Sequence, residues 1–189
     1  MESGCRVPVL SVSLKTQGKI VAAWLILLVS QAAQAAETVY QKPADFLAEN
    51  LPGCSQQALW LDRDAKSRIE QVLDHPIPGV RVRYCQRDVK TAWILDEVGK
   101  TEPITSGIIV DRGMVERVRV LVFRESRGSE VHREAFVLQY DKAALDGSAR
   151  LDRKIDGITG ATLSVHALNR QVKLALLLDR IVREKAGDD

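Results

Sequence analysis

The chain has 189 residues, 46% of them hydrophobic, and its 27 basic and 25 acidic side chains leave a formal net charge of only +2. The lysines and arginines are scattered and form no basic patch interleaved with aromatic residues, which argues against a nucleic-acid partner. The length is that of a single domain, long enough to bury a substantial hydrophobic core.

The N-terminus has the features of a secretory signal. Its basic residues are Arg6, Lys15 and Lys19. The apolar run Ile20–Val29 that follows is about half as long as a membrane-spanning helix. The sequence Ala33-Gln34-Ala35 predicts cleavage after residue 35, with an uncleaved membrane anchor as the alternative. The remaining 154 residues carry 24 basic and 24 acidic side chains. We therefore expect a periplasmic protein, free or associated with the membrane.

Two cysteines, Cys54 and Cys85, remain once Cys5 is lost with the signal. Export to an oxidising compartment favours a disulfide between them, worth roughly 3 kcal/mol. Two separate thiols are the alternative, because spacing alone does not establish proximity. The spacing is not that of a zinc or haem site.

Segment 36–79 is predicted to be helical. Pro43–Glu49 forms a short helix, and Asp62–Leu73 forms an amphipathic one capped by an aspartate at its start. The apolar face of the second helix comprises Ala65, Ile69, Val72 and Leu73. Residues 75–79, rich in proline, form a linker.

A β-rich region follows, and it predicts an α+β domain over residues 80–185 with a twisted antiparallel sheet of about four strands. The predicted strands are Val80–Cys85, Thr91–Val98, Ile104–Val110 and Met114–Arg124. Asp111-Arg112-Gly113 is a hairpin turn between the last two. The polar segment Arg124–His132 is either a solvated surface loop or a loop that projects over a binding site.

The C-terminal third is predicted to be a short helix, a loop and a long closing helix. Arg133–Tyr140 is the short helix, Asp141–Ala149 the loop and Leu163–Arg183 the closing helix. The apolar stripe of the closing helix comprises Leu168, Val172, Ala175, Leu176, Leu178, Ile181 and Val182. We expect this stripe to pack across the sheet.

The stretch Asp156-Gly157-Ile158-Thr159-Gly160-Ala161-Thr162 opens that helix. Gly160 permits close backbone approach or a positive φ, and Ala161 adds little bulk. Thr162 is thereby presented at a helix N-terminus, where free N–H groups and the helix dipole favour a phosphate. The alternative is that Thr159 or Thr162 is an ordinary N-cap.

This stretch resembles the flavinylation motif of the FMN-binding domain family. That family includes subunits of the sodium-translocating NADH:quinone reductase and of the Rnf complex. The resemblance runs from about Lys90 to Arg183. It implies that Thr162 carries FMN as a phosphoester, attached by a flavin transferase that uses FAD and magnesium. The other candidate cofactor-binding residues are Ala161, Gly160, Thr159, Asp156 and Ser164.

Several side chains have expected roles beside that phosphate. Thr159 would donate a hydrogen bond to a phosphate oxygen. Asp156 is either recognised by the flavin transferase, or activates the Thr162 hydroxyl during attachment, or only forms the turn. Arg124 or Arg127 would neutralise the phosphate or the reduced flavin, and Glu125 would orient one of them. His166, one turn into the helix, would touch the phosphate. We expect none of the three histidines to be catalytic.

The sequence therefore predicts an extracytoplasmic electron carrier with covalent FMN, more than a stand-alone enzyme. The partner would be a membrane redox protein or a cytochrome. One rival is a flavoenzyme that reduces a small substrate directly. The other is a non-flavin binding module in which the motif is only a helix cap.

Overall fold

The computed structural model describes residues 37–187, so the predicted signal lies outside the described residues. The strands are β1 (Thr38–Val39), β2 (Ser55–Trp60), β3 (Arg81–Arg87), β4 (Lys90–Val98), β5 (Pro103–Asp111) and β6 (Met114–Phe123). The helices are α1 (Pro43–Asn50), α2 (Arg63–Leu73), α3 (Glu134–Val137) and α4 (Thr162–Ala186). Two 3₁₀ turns, Ser129–His132 and Leu138–Tyr140, flank α3.

The strands form one antiparallel sheet in the order β1-β6-β5-β4-β3-β2. The predicted α+β class is thus confirmed, but the predicted count of about four strands is wrong for residues 37–187. The two additional strands lie at the two edges of the sheet. β1 has two residues, and β2 has five exposed residues of six, so neither shows the alternation that marks a half-buried strand.

The strand β6 contains two irregularities that explain its imperfect alternation of apolar residues. Register shifts in its pairing with β5 place Glu116 and Leu121 outside the regular pairs. Each extra residue changes which face the following side chains occupy. Val115 and Val118 therefore both join the same core although they are three residues apart. The turn before β6 has positive φ at Arg112 and Gly113, as a two-residue hairpin requires.

The larger core lies between the sheet and the helices α2 and α4. The predicted face of α2 is buried, and every residue of the predicted stripe of α4 is at most 8% exposed. A smaller core contains Phe46 and Leu51 from α1 and its end, together with Cys85. Cys54 and Cys85 form a disulfide with their Cα atoms 5.5 Å apart, which settles the alternative left open by the sequence. Within residues 37–187, no helix has both the length and the apolar character needed to cross a membrane.

Candidate functional site

The motif leads directly into the first turn of α4. Gly160 has φ of 82°, a backbone conformation that favours glycine. Ala161 is the N-cap residue, and no side chain caps this end of the helix. Thr162 is the first helical residue and is exposed. The alternative, that Thr159 or Thr162 is an ordinary N-cap, is therefore not observed, and the Thr162 hydroxyl has no capping role.

The start of α4 presents backbone N–H groups that the helix itself does not use. The amide of Val165 donates to the carbonyl of Ala161 at 3.0 Å. The amides before Val165 belong to the first helical turn, where N–H groups have no partner inside the helix. Their dipoles add to the positive end of the helix macrodipole, which stabilises a nearby anion.

An open cavity of about 620 Å³ lies over this helix end. Three segments line it: the loop between β4 and β5, the loop after β6, and the start of α4. Its lining residues are Lys100, Glu125, Ser126, Arg127, Gly160, Ala161, Thr162, Leu163 and Ser164. The two loops are neighbours because the end of β4, the start of β5 and the end of β6 lie at the same end of the antiparallel sheet.

The loop after β6 is fitted closely against α4 at Gly128. This residue has φ of 87°, and a Cβ built on it would lie 2.4 Å from Oγ of Ser164 and 3.3 Å from Cβ of Ala161. Any larger residue would be strained and would push the loop away from the helix. Gly128 thus sets the position of Ser126 and Arg127 beside the cavity.

The other end of the same loop is fixed by Glu125. Its Oε1 accepts hydrogen bonds from three consecutive backbone amides, those of Lys100, of Thr101 at 2.6 Å and of Glu102 at 2.9 Å. Burial opposes ionisation of this carboxyl, but the three amide donors outweigh it and hold its pKa below the usual range. Glu125 therefore clamps the β4–β5 loop and does not orient an arginine as predicted.

The structure brings some of the predicted site residues together and separates others. Gly160, Ala161, Thr162 and Ser164 line the cavity, whereas Asp156, Thr159 and His166 are outside its lining. Asp156 is exposed, and its backbone N–H donates to Oε1 of Gln139 at 2.7 Å.

The predicted arginines also differ from each other. Arg127 lines the cavity. Arg124 instead donates to the carbonyl of Pro103 at 3.1 Å and to Oγ1 of Thr105 at 2.9 Å. The Arg124 guanidinium therefore links the end of β6 to β5, and of the two predicted arginines only Arg127 lines the cavity.

Two other histidines have structural contacts away from the cavity. His75 contacts the carboxylate of Glu97 through Nε2 at 3.0 Å, and His132 stacks on Tyr40 with ring centroids 4.2 Å apart. Among residues 37–187 there is no cluster of three or more His, Cys, Asp or Glu that could hold a metal ion.

Residues 99–177 match the family model of the FMN-binding domain. The match supports an FMN-binding domain in this part of the chain. The matched segment begins in the β4–β5 loop, ends within α4 and contains every residue that lines the cavity. Comparisons with curated proteins and with solved structures gave no significant match.

The cavity of the FMN-binding domain has features that suit FMN. Its volume falls within the roughly 300–1,000 Å³ typical of small-molecule sites. Helix amides and the side chains of Lys100 and Arg127 favour the phosphate, and Leu163, 47% exposed, offers apolar surface to a ring. Sequence reasoning missed Lys100, Ser126 and Leu163 as lining residues. The antiparallel pairing of β4 with β5 and of β5 with β6 is the signal that places Lys100 and Ser126 in neighbouring loops.

Proposed function

We propose that this protein is an extracytoplasmic electron-transfer protein that carries FMN covalently, as a phosphoester of Thr162. One observation carries the proposal: the Thr162 hydroxyl is exposed, has no capping role and lies at a helix N-terminus that lines a cavity of about 620 Å³. The family match to an FMN-binding domain supplies the cofactor.

Attachment of the cofactor is a group transfer from FAD. The Oγ1 atom of Thr162 forms a bond to the phosphorus on the riboflavin side of the pyrophosphate, while the bond from that phosphorus to the bridging oxygen breaks. AMP leaves, and the hydroxyl proton is released to a base of the transferase or to water. The product is a phosphodiester with one negative charge, which the amides of the first α4 turn stabilise.

The chain itself supplies the position and the electrostatics, and the bound flavin supplies the redox chemistry. Gly160 and Ala161, which precede Thr162, add little side-chain bulk, so an enzyme has access to the exposed Thr162 hydroxyl. The motif residues Asp156 and Thr159 lie on the exposed approach to α4 and outside the cavity lining. This position favours recognition by the flavin transferase over contact with the bound phosphate.

Export gives a reason for a covalent link, because free FMN would diffuse away from a protein outside the cytoplasm. The predicted signal at residues 1–35 and the Cys54–Cys85 disulfide support this location. The redox partner would be a membrane oxidoreductase or a cytochrome that reaches the cofactor through the open side of the cavity.

The decisive experiment measures the intact mass of the exported protein from a host that contains a flavin transferase. The wild-type chain should gain the mass of one FMN residue, and Thr162→Ala should lose it completely with unchanged circular dichroism. Ser67→Ala, an exposed hydroxyl on α2, is the control and should remain loaded. A loaded Thr162→Ala variant would refute the assignment. Turnover of a small acceptor without a partner protein would favour the flavoenzyme instead.

A further inference from the structure

Glu125 connects two walls of the cavity. Besides its bonds to three amides, its Oε2 accepts from the hydroxyl of Thr101 at 3.3 Å. A Cβ built on Gly99 would lie 3.0 Å from Oε1 of Glu125, so the absence of a side chain at Gly99 lets the carboxylate reach the loop. The conformation of residues 99–102 thus depends on a side chain from the loop after β6.

The loop that Glu125 holds places a cation beside the cavity. Lys100 follows Gly99 directly and lines the cavity together with Arg127. Within the described part of the chain, neither Lys100 nor Arg127 takes part in a salt bridge, whereas the Glu125 carboxylate is occupied by amide donors. The two cationic side chains therefore form no ion pair within residues 37–187, and they outnumber the one carboxylate of the cavity lining, that of Glu125.

We propose that Lys100 raises the midpoint potential of the flavin carried at Thr162, and that Glu125 is a positioning residue that holds Lys100 in place. The proposal rests on the proposed function. Reduction adds negative charge to a flavin, so a nearby cation stabilises the reduced form over the oxidised form. Arg127 acts in the same direction from the other wall.

The sign of the effect distinguishes positioning from a direct effect of charge. If Glu125 acted only through its own negative charge, Glu125→Gln would remove that charge and raise the potential. If Glu125 acts by holding Lys100, the amide of Gln binds the loop less strongly, Lys100 leaves its position and the potential falls. The two roles therefore predict opposite shifts.

The experiment is a reductive titration of the loaded wild-type chain and of four variants. Lys100→Gln should lower the midpoint potential, Lys100→Arg should restore most of it, and Glu125→Gln should lower it by less than Lys100→Gln. In the double variant Lys100→Gln/Glu125→Gln, loss of the carboxylate should cause no further fall, because Glu125 acts through Lys100. Lys42→Gln, an exposed lysine outside the cavity, is the matched control and should leave the potential unchanged.

A second measurement uses the unloaded Thr162→Ala chain and needs no flavin. Glu125→Gln should speed hydrogen exchange at the amides of residues 100–102, and Lys100→Gln should not. If the midpoint potential of the loaded chain is unchanged by Lys100→Gln, or rises with Glu125→Gln, this inference is overturned and the proposed function is not. Unchanged exchange at 100–102 in Glu125→Gln overturns the positioning role. A wild-type chain without FMN overturns the proposed function, and this inference with it.

Discussion

The two ends of α4 are built in opposite ways. At the start, Ala161 is the cap, no side chain caps the helix, and Thr162 is exposed over an open cavity. At the end, Gly187 closes the helix in the left-handed conformation and donates to the carbonyl of Arg183. Lys185 lies in this last turn, where a cation is favoured by the helix dipole, and it also donates to the carbonyl of Trp60 in β2 at 3.1 Å.

The last turns of α4 are tied to the rest of the fold by further polar contacts. The fully buried carboxylate of Asp179 accepts from the hydroxyl of Thr91 at 2.7 Å and pairs with Arg183 at 3.0 Å. Glu184 accepts two hydrogen bonds from Arg68 of α2, at 2.7 and 2.9 Å. The contrast indicates that the end of the helix serves stability, whereas its start keeps unsatisfied donors for a ligand.

The largest effect should come from Gly128→Ala, which disturbs the fit of the loop after β6 against the start of α4. The new Cβ meets Ser164 and the residue must adopt a positive φ, so we expect a loss of about 3 kcal/mol in the free energy of unfolding. Displacement of the loop from α4 should also reduce the fraction of chain that carries FMN. Denaturant unfolding and intact mass measure the two effects. Gly147→Ala, where a Cβ meets nothing within 4 Å, is the control, and equal losses in both variants would contradict the close fit.

A substitution near the C-terminal end of α4 should change the free energy of unfolding but not FMN loading. Asp179→Ala leaves the buried hydroxyl of Thr91 without its acceptor and Arg183 without its partner, which should cost about 3 kcal/mol. Thr162 is far along the same helix, so FMN loading at permissive temperature should be unchanged. Glu70→Ala, an exposed carboxylate on α2, is the control and should stay within about 0.5 kcal/mol of wild type. Loss of FMN loading in Asp179→Ala would contradict the proposal that the end of α4 serves stability and its start serves ligand binding.

A smaller effect is expected at the Arg68–Glu184 pair. Arg68 is the main cause of the lowered pKa of Glu184, and both side chains are about one-third exposed. Solvent screening limits such a pair, so Arg68→Gln should cost no more than about 1 kcal/mol. Because the folded pKa of Glu184 is depressed, this stability is present above its unfolded pKa and lost as pH falls through the folded pKa. A double-mutant cycle with Glu184→Gln at low and high salt measures the coupling, and a coupling that salt does not weaken would contradict the screening argument.

The helices were predictable because helical periodicity reports which side chains are buried. Ala65, Ile69 and Val72 of α2 recur at the spacing of one helix face, and all three are buried. Edge strands give no such signal. β2 leaves most of its side chains in solvent, so no alternation marks it.

The position of Thr162 was also predictable, because a glycine, a small residue and a following long apolar helix together indicate a helix start from neighbouring residues alone. The hydrogen bonds that Glu125 accepts from the loop between β4 and β5 were not predictable. Its partners lie more than twenty residues earlier in the chain, and they are backbone amides, which leave no pattern in the side-chain sequence. Only the pairing of β4, β5 and β6 brings the two loops together.

The smallest effect is expected between the two ends, where Glu97 of β4 contacts both Arg170 of α4, at 2.8 Å, and His75. Its carboxylate, and next the carbonyl of Pro76, raise the pKa of His75, while partial burial and the charge of Arg170 oppose the increase. The folded pKa is then above the unfolded value, so the stabilisation is full below about pH 6.5 and is lost as pH rises through the folded pKa. The ring is 46% exposed, which screens the interaction. The free energy of unfolding of the wild type should therefore fall slightly more between pH 6 and pH 8 than that of His75→Gln. Parallel pH profiles would show that His75 does not contribute to this contact and that the Arg170–Glu97 pair forms without it.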